Sequence, residues 1–243
     1  PTIEKSVGEP KETCDWEGCD TETDFYITQD TEITINCIDP EPHPSGVDTI
    51  YWSYTVDGGE PVTGSQKGSQ KIIKFGEDSV HVLETWCTDN LGHESAHDIE
   101  TFKVDSTPPS ITKTMLGDDH LGYRNGELNP DACPPKGPDD ECFVRDSCEN
   151  GVHIAVEDGG DICAVDDVIC TYELWWDEQP QGPVASGEFG EEGVNVYFTE
   201  DSTHTLIVNC EDALGNAMEE DVEEFKVDST PPETTKTYGD PHY

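Results

Sequence analysis

The eight residues 102–109, F-K-V-D-S-T-P-P, recur unchanged at 225–232. An octapeptide repeated at domain-sized distance means that the chain is an array of modules, each of which must bury a core of its own. The identity extends upstream. Aligned without a gap, residues 77–109 and 200–232 agree at more than half of their positions, including His81/His204, Cys87/Cys210, Asp89/Asp212 and Leu91/Leu214. Downstream, Ser110-Ile-Thr-Lys-Thr follows the first octapeptide and Glu233-Thr-Thr-Lys-Thr the second, while the chain opens Thr2-Ile-Glu-Lys-Ser. The expected organisation is therefore one domain over 1–107, a second over 108–230, and a segment 231–243 that is the first strand of a following repeat or an assembly tail. The chain reads either as a cut through a longer array or as a subunit whose tail restates its head.

Apolar residues alternate with polar ones at Ile33-Ile35-Cys37, Ile50-Trp52-Tyr54-Val56, Leu83-Thr85-Cys87 and Phe102-Val104, a period of two that marks half-buried strands. With residues 2–6, 25–28 and 71–75, the first module has about seven short strands, separated by turn signals such as Asp57-Gly-Gly and Asn90-Leu-Gly. The second module repeats the pattern at Val152-Ile154-Val156, Val168-Cys170-Tyr172-Leu174, Leu206-Val208-Cys210 and Phe225-Val227. No stretch sustains a helical period. The expected fold class is all-β, two tandem immunoglobulin-like β-sandwich domains, the second with a long Asp-, Pro- and Gly-rich loop over 117–150, between its first two main strands.

Ten cysteines divide four and six between the modules, even counts that fit disulfides closed within each module and an oxidising, extracellular compartment. The order Cys37, Trp52, Cys87 on inward positions predicts a disulfide from Cys37 to Cys87 under the tryptophan, with Cys14 and Cys19 closing a small loop. In the second module Val156 replaces the first of these cysteines. A cross-strand link from Cys170 to Cys210 is the first choice there, and the pairing among Cys133, Cys142, Cys148 and Cys163 stays open. Fifty-five acidic against twelve basic residues give a formal charge of −43, which repels nucleic acid and anionic membranes and invites cations. A solvated surface kept for solubility is the plain alternative. No apolar run is long enough for direct membrane insertion.

The two F-K-V-D-S-T-P-P linkers, the G-V-D-T-I-Y-W run at 46–52 and the D-N-L-G and D-A-L-G turns at Asp89 and Asp212 resemble the Ig-like repeats of bacterial and archaeal extracellular surface proteins and giant adhesins, whose modules end in a V-D-x-T-x-P linker. The resemblance covers both modules. It implies a tandem array at the cell surface, with calcium at the joints between modules.

His93-Glu94-Ser95-Ala96-His97 fits the H-E-x-x-H pattern of zinc proteases, in which both histidines share a helix face. Here the residues follow a turn and run into a strand, where i and i+4 are about 13 Å apart, so a surface hairpin is the better reading and no enzyme is expected. Trp175-Trp176 offers rings for a sugar, or a core ring and an outward neighbour. The acidic loops are more informative. In a sandwich of this topology Asp158, Asp161, Asp166, Asp167 and Asp212 gather at one pole of the second module, where the incoming linker delivers Asp105; the first module's pole carries Asp39, Asp48 and Asp89, for which Asp228 is the corresponding linker residue. Clustered loop carboxylates suit calcium, which takes six to eight oxygens in flexible geometry. The leading expectation is a structural module of a stalk, adhesin or fibre, calcium-bound and disulfide-stapled, whose partners are neighbouring Ig-like modules of the same or an identical chain, head-to-tail. A glycan- or protein-binding adhesion module on the same scaffold is the alternative.

Overall fold

The computed structural model describes residues 1–147, 149–159, 167–177 and 181–239. Cys148, Asp161, Cys163 and Asp166 lie outside the described residues. The chain divides into two compact units, one formed by residues 1–110 with 157–169 and 210–218, the other by 111–156, 170–209 and 219 onward.

The first unit contains β1 (Thr2–Val7), β2 (Lys11–Thr13), β3 (Phe25–Ile27), β4 (Ile33–Ile38), β5 (Val47–Val56), β6 (Val62–Lys67), β7 (Gln70–Ile73), β8 (Val80–Asp89) and β9 (Asp98–Val104). They form two sheets, ordered β1-β4-β7 and β2-β3-β9-β8-β5-β6. All pairings are antiparallel except β3 with β9, which run parallel with Phe25 opposite Phe102 and Ile27 opposite Val104. The period-two apolar residues face each other across the sandwich: Ile27, Ile33, Ile35, Ile50, Leu83 and Phe102 are wholly buried in one cluster. Each such side chain stabilises the fold by about 1.5–3 kcal/mol relative to exposure. The Cys37–Cys87 disulfide ties β4 in one sheet to β8 in the other, and Cys14–Cys19 closes the small loop, both as expected.

Trp52 is half-buried and packs against this core on the inward side of β5, with the Lys71 ammonium 4.7 Å from its ring centroid. Its ring lies on Gly64 of β6, where a Cβ would meet Trp52 Cζ2 at 2.3 Å. That contact explains a strand the sequence conceals: β6 reads V-T-G-S-Q-K, largely exposed, with no apolar face to betray it.

The second copy of the fold runs through β10 (Ser110–Leu116), β11 (His120–Arg124), β12 (Glu127–Leu128), β13 (Asp140–Val144), β14 (Gly151–Glu157), β15 (Ile169–Trp176), β16 (Ala185–Phe189), β17 (Val194–Tyr197), β18 (Thr203–Glu211) and β19 (Asp221–Val227). Its sheets are ordered β10-β14-β17 and β12-β11-β13-β19-β18-β15-β16. β13 runs parallel to β19, with Cys142 opposite Phe225, as β3 does to β9. Ile154, Leu174, Phe198, Leu206 and Phe225 are its largest buried apolar side chains. The segment 117–150, expected to be a long loop, instead carries three short strands joined by turns. β11, β12 and β13 extend the second sheet, and the Cys133–Cys142 disulfide holds the turn between them. Gly122 permits the close approach, since a Cβ there would lie 2.3 Å from the Asn129 carbonyl oxygen. Polar composition hid β11 and β12, which the partner edge orders, whereas β13 also has a buried face at Cys142 and Val144. Cys170 and Cys210 are each disulfide-bonded.

A repeated ionic clasp ties the first strand of each copy to its last. Lys5 on β1, with a side chain 3% exposed, sits 3.2 Å from Asp98 and 3.0 Å from Glu100 of β9. Lys113 on β10, 6% exposed, contacts Asp221 and lies 2.8 Å from Glu223 of β19. Burial pushes the carboxyls of Glu100 and Glu223 up, and the lysine beside each pulls them back. Such pairs are costly to break one-sidedly, because the partner is left as a buried uncompensated charge.

Candidate metal centre

The repeated octapeptide takes the same local form in both copies. Asp105 donates its backbone N–H to the Ile27 carbonyl at 2.8 Å, and its Oδ1 accepts from the Thr107 N–H at 2.9 Å. Asp228 donates to the Val144 carbonyl at 2.9 Å, and its Oδ1 accepts from the Thr230 N–H at 2.9 Å. A second carboxylate clamps each linker from the side: Asp78 accepts from the Ser106 N–H and the Thr107 hydroxyl, and Asp201 from the Ser229 N–H and the Thr230 hydroxyl. Burial raises the Asp78 carboxyl, but the Gln29 amide together with Thr107 and Ser106 holds it below the usual carboxylate range; Thr230 and Ser229 hold Asp201 below it as well, against a smaller effect of burial. The sequence shows that the octapeptide matters. Its reason is that Asp, Ser and Thr supply hydrogen bonds that replace a regular strand at the end of β9 and β19.

From this shared frame the two copies diverge. Asp105 is 1% exposed, and its Oδ2 has no hydrogen-bond partner among the described residues. Carboxylate oxygens of Asp105, Asp158 and Asp212 lie within 4.8 Å of one another, all inside the first unit. At that separation each pair of charges repels by about 3–4 kcal/mol for an effective dielectric of about 20, so the trio demands a proton or a cation. Asp105 is accordingly pushed up to about 6, first by burial and then by the charges of Asp158, Asp212 and Asp78, while the Thr107 N–H opposes the rise.

Two turns place the partners. Asp158 follows the end of β14, and its Oδ1 accepts from the Gly159 N–H at 2.9 Å. Asp212 opens the turn after β18, where Asn216 donates its N–H to Oδ1 at 2.8 Å and its side-chain amide to Oδ2 at 2.7 Å. The same amide lies 3.1 Å from the Asp105 carbonyl oxygen, so Asn216 links two of the three acids. Leu214 at the tip of that turn is 4% exposed and packs against Tyr26 with Trp16 beside it.

Of the ten acids expected to bind metal, eight are among the described residues, and three of these meet. Asp167 is exposed and does not join the trio among the described residues. Asp39 accepts from the Gly46 N–H at 2.8 Å and the Ser45 hydroxyl at 3.4 Å. Asp48 accepts from the Thr49 hydroxyl and pairs with Lys67 at 3.2 Å, and these bonds lower its carboxyl below the usual range. Asp89 is buried yet lies at about 2; burial would raise it, but His93 Nδ1 at 2.8 Å and the N–H groups of Leu91 and His93 outweigh that. Asp228 is exposed.

The H-E-x-x-H residues lie outside any helix. His93 contacts Asp89, whereas His97 pairs with Glu84 at 2.7 Å and stacks on Trp86 with centroids 4.5 Å apart. Trp86 stacks in turn on Tyr51 at 5.5 Å, giving a row of three rings on the outward side of β5 and β8. This row was missed in the sequence, although Tyr51 and Trp86 occupy outward positions of their strands and its signal is present there. Trp175 and Trp176 are both half-buried; Trp175 donates to Glu173 at 2.9 Å.

Among the described residues no helix is long and apolar enough to cross a membrane. No family model matches the chain, and no curated protein matches it in sequence. Among solved structures it is similar to the fibronectin(III)-like modules of Clostridium thermocellum CbhA, at 12% identity and a TM-score of 0.33, covering 97% of this chain and 100% of that one. It is also similar to a two-domain fibronectin type III segment of chicken tenascin, at 7% identity and a TM-score of 0.31, covering 92% and 97% respectively.

Proposed function

We propose that this chain is a structural, non-catalytic module of an extracellular stalk, adhesin or fibre, and that Asp105, Asp158 and Asp212 hold a calcium ion. The observation that carries the metal is the Asp105 carboxylate: buried, facing two further carboxylates, with one oxygen unpartnered among the described residues. A buried charge in that position is costly unless a cation completes it, and the donor set is all oxygen, as calcium prefers over softer metals. Loop carbonyls and water would supply the remaining ligands of a bound calcium ion. The disulfides support an oxidising compartment, and the net charge of −43 supports a protein adapted to bind cations at its surface.

The test is a calcium titration of chelator-treated protein, followed by calorimetry and thermal melting. Binding to the folded state alone adds about 2.7 kcal/mol when free calcium reaches a hundred times Kd, and the melting point rises with it. Absence of binding heat together with an unchanged melting point overturns the reading.

The adhesion reading keeps one specific support, the outward row Tyr51-Trp86-His97. Tryptophan fluorescence of wild type and Trp86→Ala against a glycan panel tests it. A spectral change that Trp86→Ala removes would support recognition through this row.

A further inference from the structure

Leu91 and Leu214 hold equivalent places in the two D-x-L-G turns, yet Leu91 is 74% exposed where Leu214 is 4% exposed. The difference lies in what each turn meets. Leu214 lies against Tyr26 and Trp16, and its turn brings Asp212 and Asn216 to the linker residue Asp105. The other copy of this receiving surface is in the second unit. Phe143 holds the place of Tyr26: each faces the lysine after the last strand's phenylalanine, Lys226 or Lys103, whose ammonium lies 5.3 Å from the Phe143 ring centroid and 5.2 Å from that of Tyr26. Around Phe143 is a cavity of about 360 Å³, lined by Leu121, Val144, Arg145, Asp118, Asp119 and Asp228. Leu121 is an exposed apolar residue on its rim.

The acids divide in the same way. Asp228 has the hydrogen bonds of Asp105 but is exposed. Asp39 and Asp89, the counterparts of Asp158 and Asp212, stand at the pole that carries Leu91. The second unit thus presents Asp228, with Asp118 and Asp119, beside an open cavity whose apolar lining is Leu121, Phe143 and Val144, and the first unit presents two acids beside an exposed leucine. Each surface matches one half of an arrangement that the chain already builds internally.

We infer that the Leu91 pole of one chain docks on the Phe143 surface of a second copy, with Leu91 entering the cavity and Asp39, Asp89 and the partner copy's Asp228 sharing a divalent cation. This rests on the calcium reading of the internal trio, whose geometry it copies. Both faces are acidic, so without the cation they repel, and association requires it. The contact joins different surfaces of the two copies, so it is heterologous and each chain can receive one neighbour and dock on another.

The experiment is sedimentation velocity of the full chain with calcium and with excess chelator, beside calorimetric calcium stoichiometry. The expected result is a concentration-dependent series of oligomers with calcium and a monomer with chelator. Leu91→Asp and Asp228→Asn should each weaken association, roughly 10- to 100-fold for Leu91→Asp from the lost apolar contact, while leaving calcium binding at Asp105, Asp158 and Asp212 intact. A chain that binds calcium but remains monomeric at high concentration overturns the docking and leaves the internal site standing. Association that survives chelation, or that Leu91→Asp leaves unchanged, also overturns it. Loss of all calcium binding in the wild type instead overturns the internal site on which the inference rests.

Discussion

Asp105 shows how one position changes meaning with its surroundings. The same residue type in the same turn is exposed at 228 and buried against two acids at 105. Asp105→Asn keeps the oxygen that accepts from Thr107 and removes the charge. The variant should raise the stability of calcium-free protein by on the order of 1–3 kcal/mol, because a carboxyl held near 6 in the fold is destabilising when ionised at neutral pH. It should also abolish the calcium-induced rise in melting point; urea denaturation with and without calcium checks both effects. A Gly64→Ala substitution tests packing alone. The added methyl must displace the Trp52 ring, and a cost of about 1–3 kcal/mol is expected in the same measurement, with calcium binding unaffected.

Each copy of the fold is held by devices that join its two sheets. Replacing both Cys37 and Cys87 by Ala removes a cross-link spanning 50 residues and should cost about 4 kcal/mol in the chain-entropy account, seen as a lowered denaturation midpoint. The buried histidines act on the strands that carry them. His81 stacks on Phe75 with centroids 4.0 Å apart, and His204 lies edge-on to Phe198 at 5.7 Å. Burial lowers both below the usual histidine value, so at mildly acid pH the unfolded chain binds more protons than the folded one. Stability from these residues is therefore complete above about 6.5 and is lost as pH falls below it. Urea midpoints of wild type minus those of a His81→Asn, His204→Asn variant, followed from about pH 8 to about pH 5, should narrow toward the acid end. A difference that does not vary with pH would rule out this role.

At the scale of the whole molecule, charge dominates. With a net charge of −43, self-repulsion works against every compact state, and monovalent salt screens it over a Debye length of about 8–10 Å at physiological strength. Melting of calcium-free protein should rise when sodium chloride is raised from about 10 to about 150 mM. Calcium should add a further increment at constant ionic strength, since a specific site responds to the ion and not to screening. Magnesium at equal concentration should add less, because it resists giving up its water shell.

The sequence by itself determined the repeat, the all-β class, the inward faces of the main strands and the Cys37–Cys87 and Cys14–Cys19 links. Periodicity and identity are local properties, written residue by residue, and they survive without knowledge of any partner. Only the tertiary structure decided the rest. β6, β11 and β12 are ordered by an adjoining edge and by close approaches at Gly64 and Gly122, which leave no apolar pattern to read. Of the ten candidate acids the sequence could name the set but not the trio. Asp105, Asp158 and Asp212 are far apart in the chain, and their meeting depends on how two turns fold back on one linker. Burial made the last distinction: Asp105 and Asp228 share an octapeptide and a hydrogen-bond pattern, and solvent separates their chemistry.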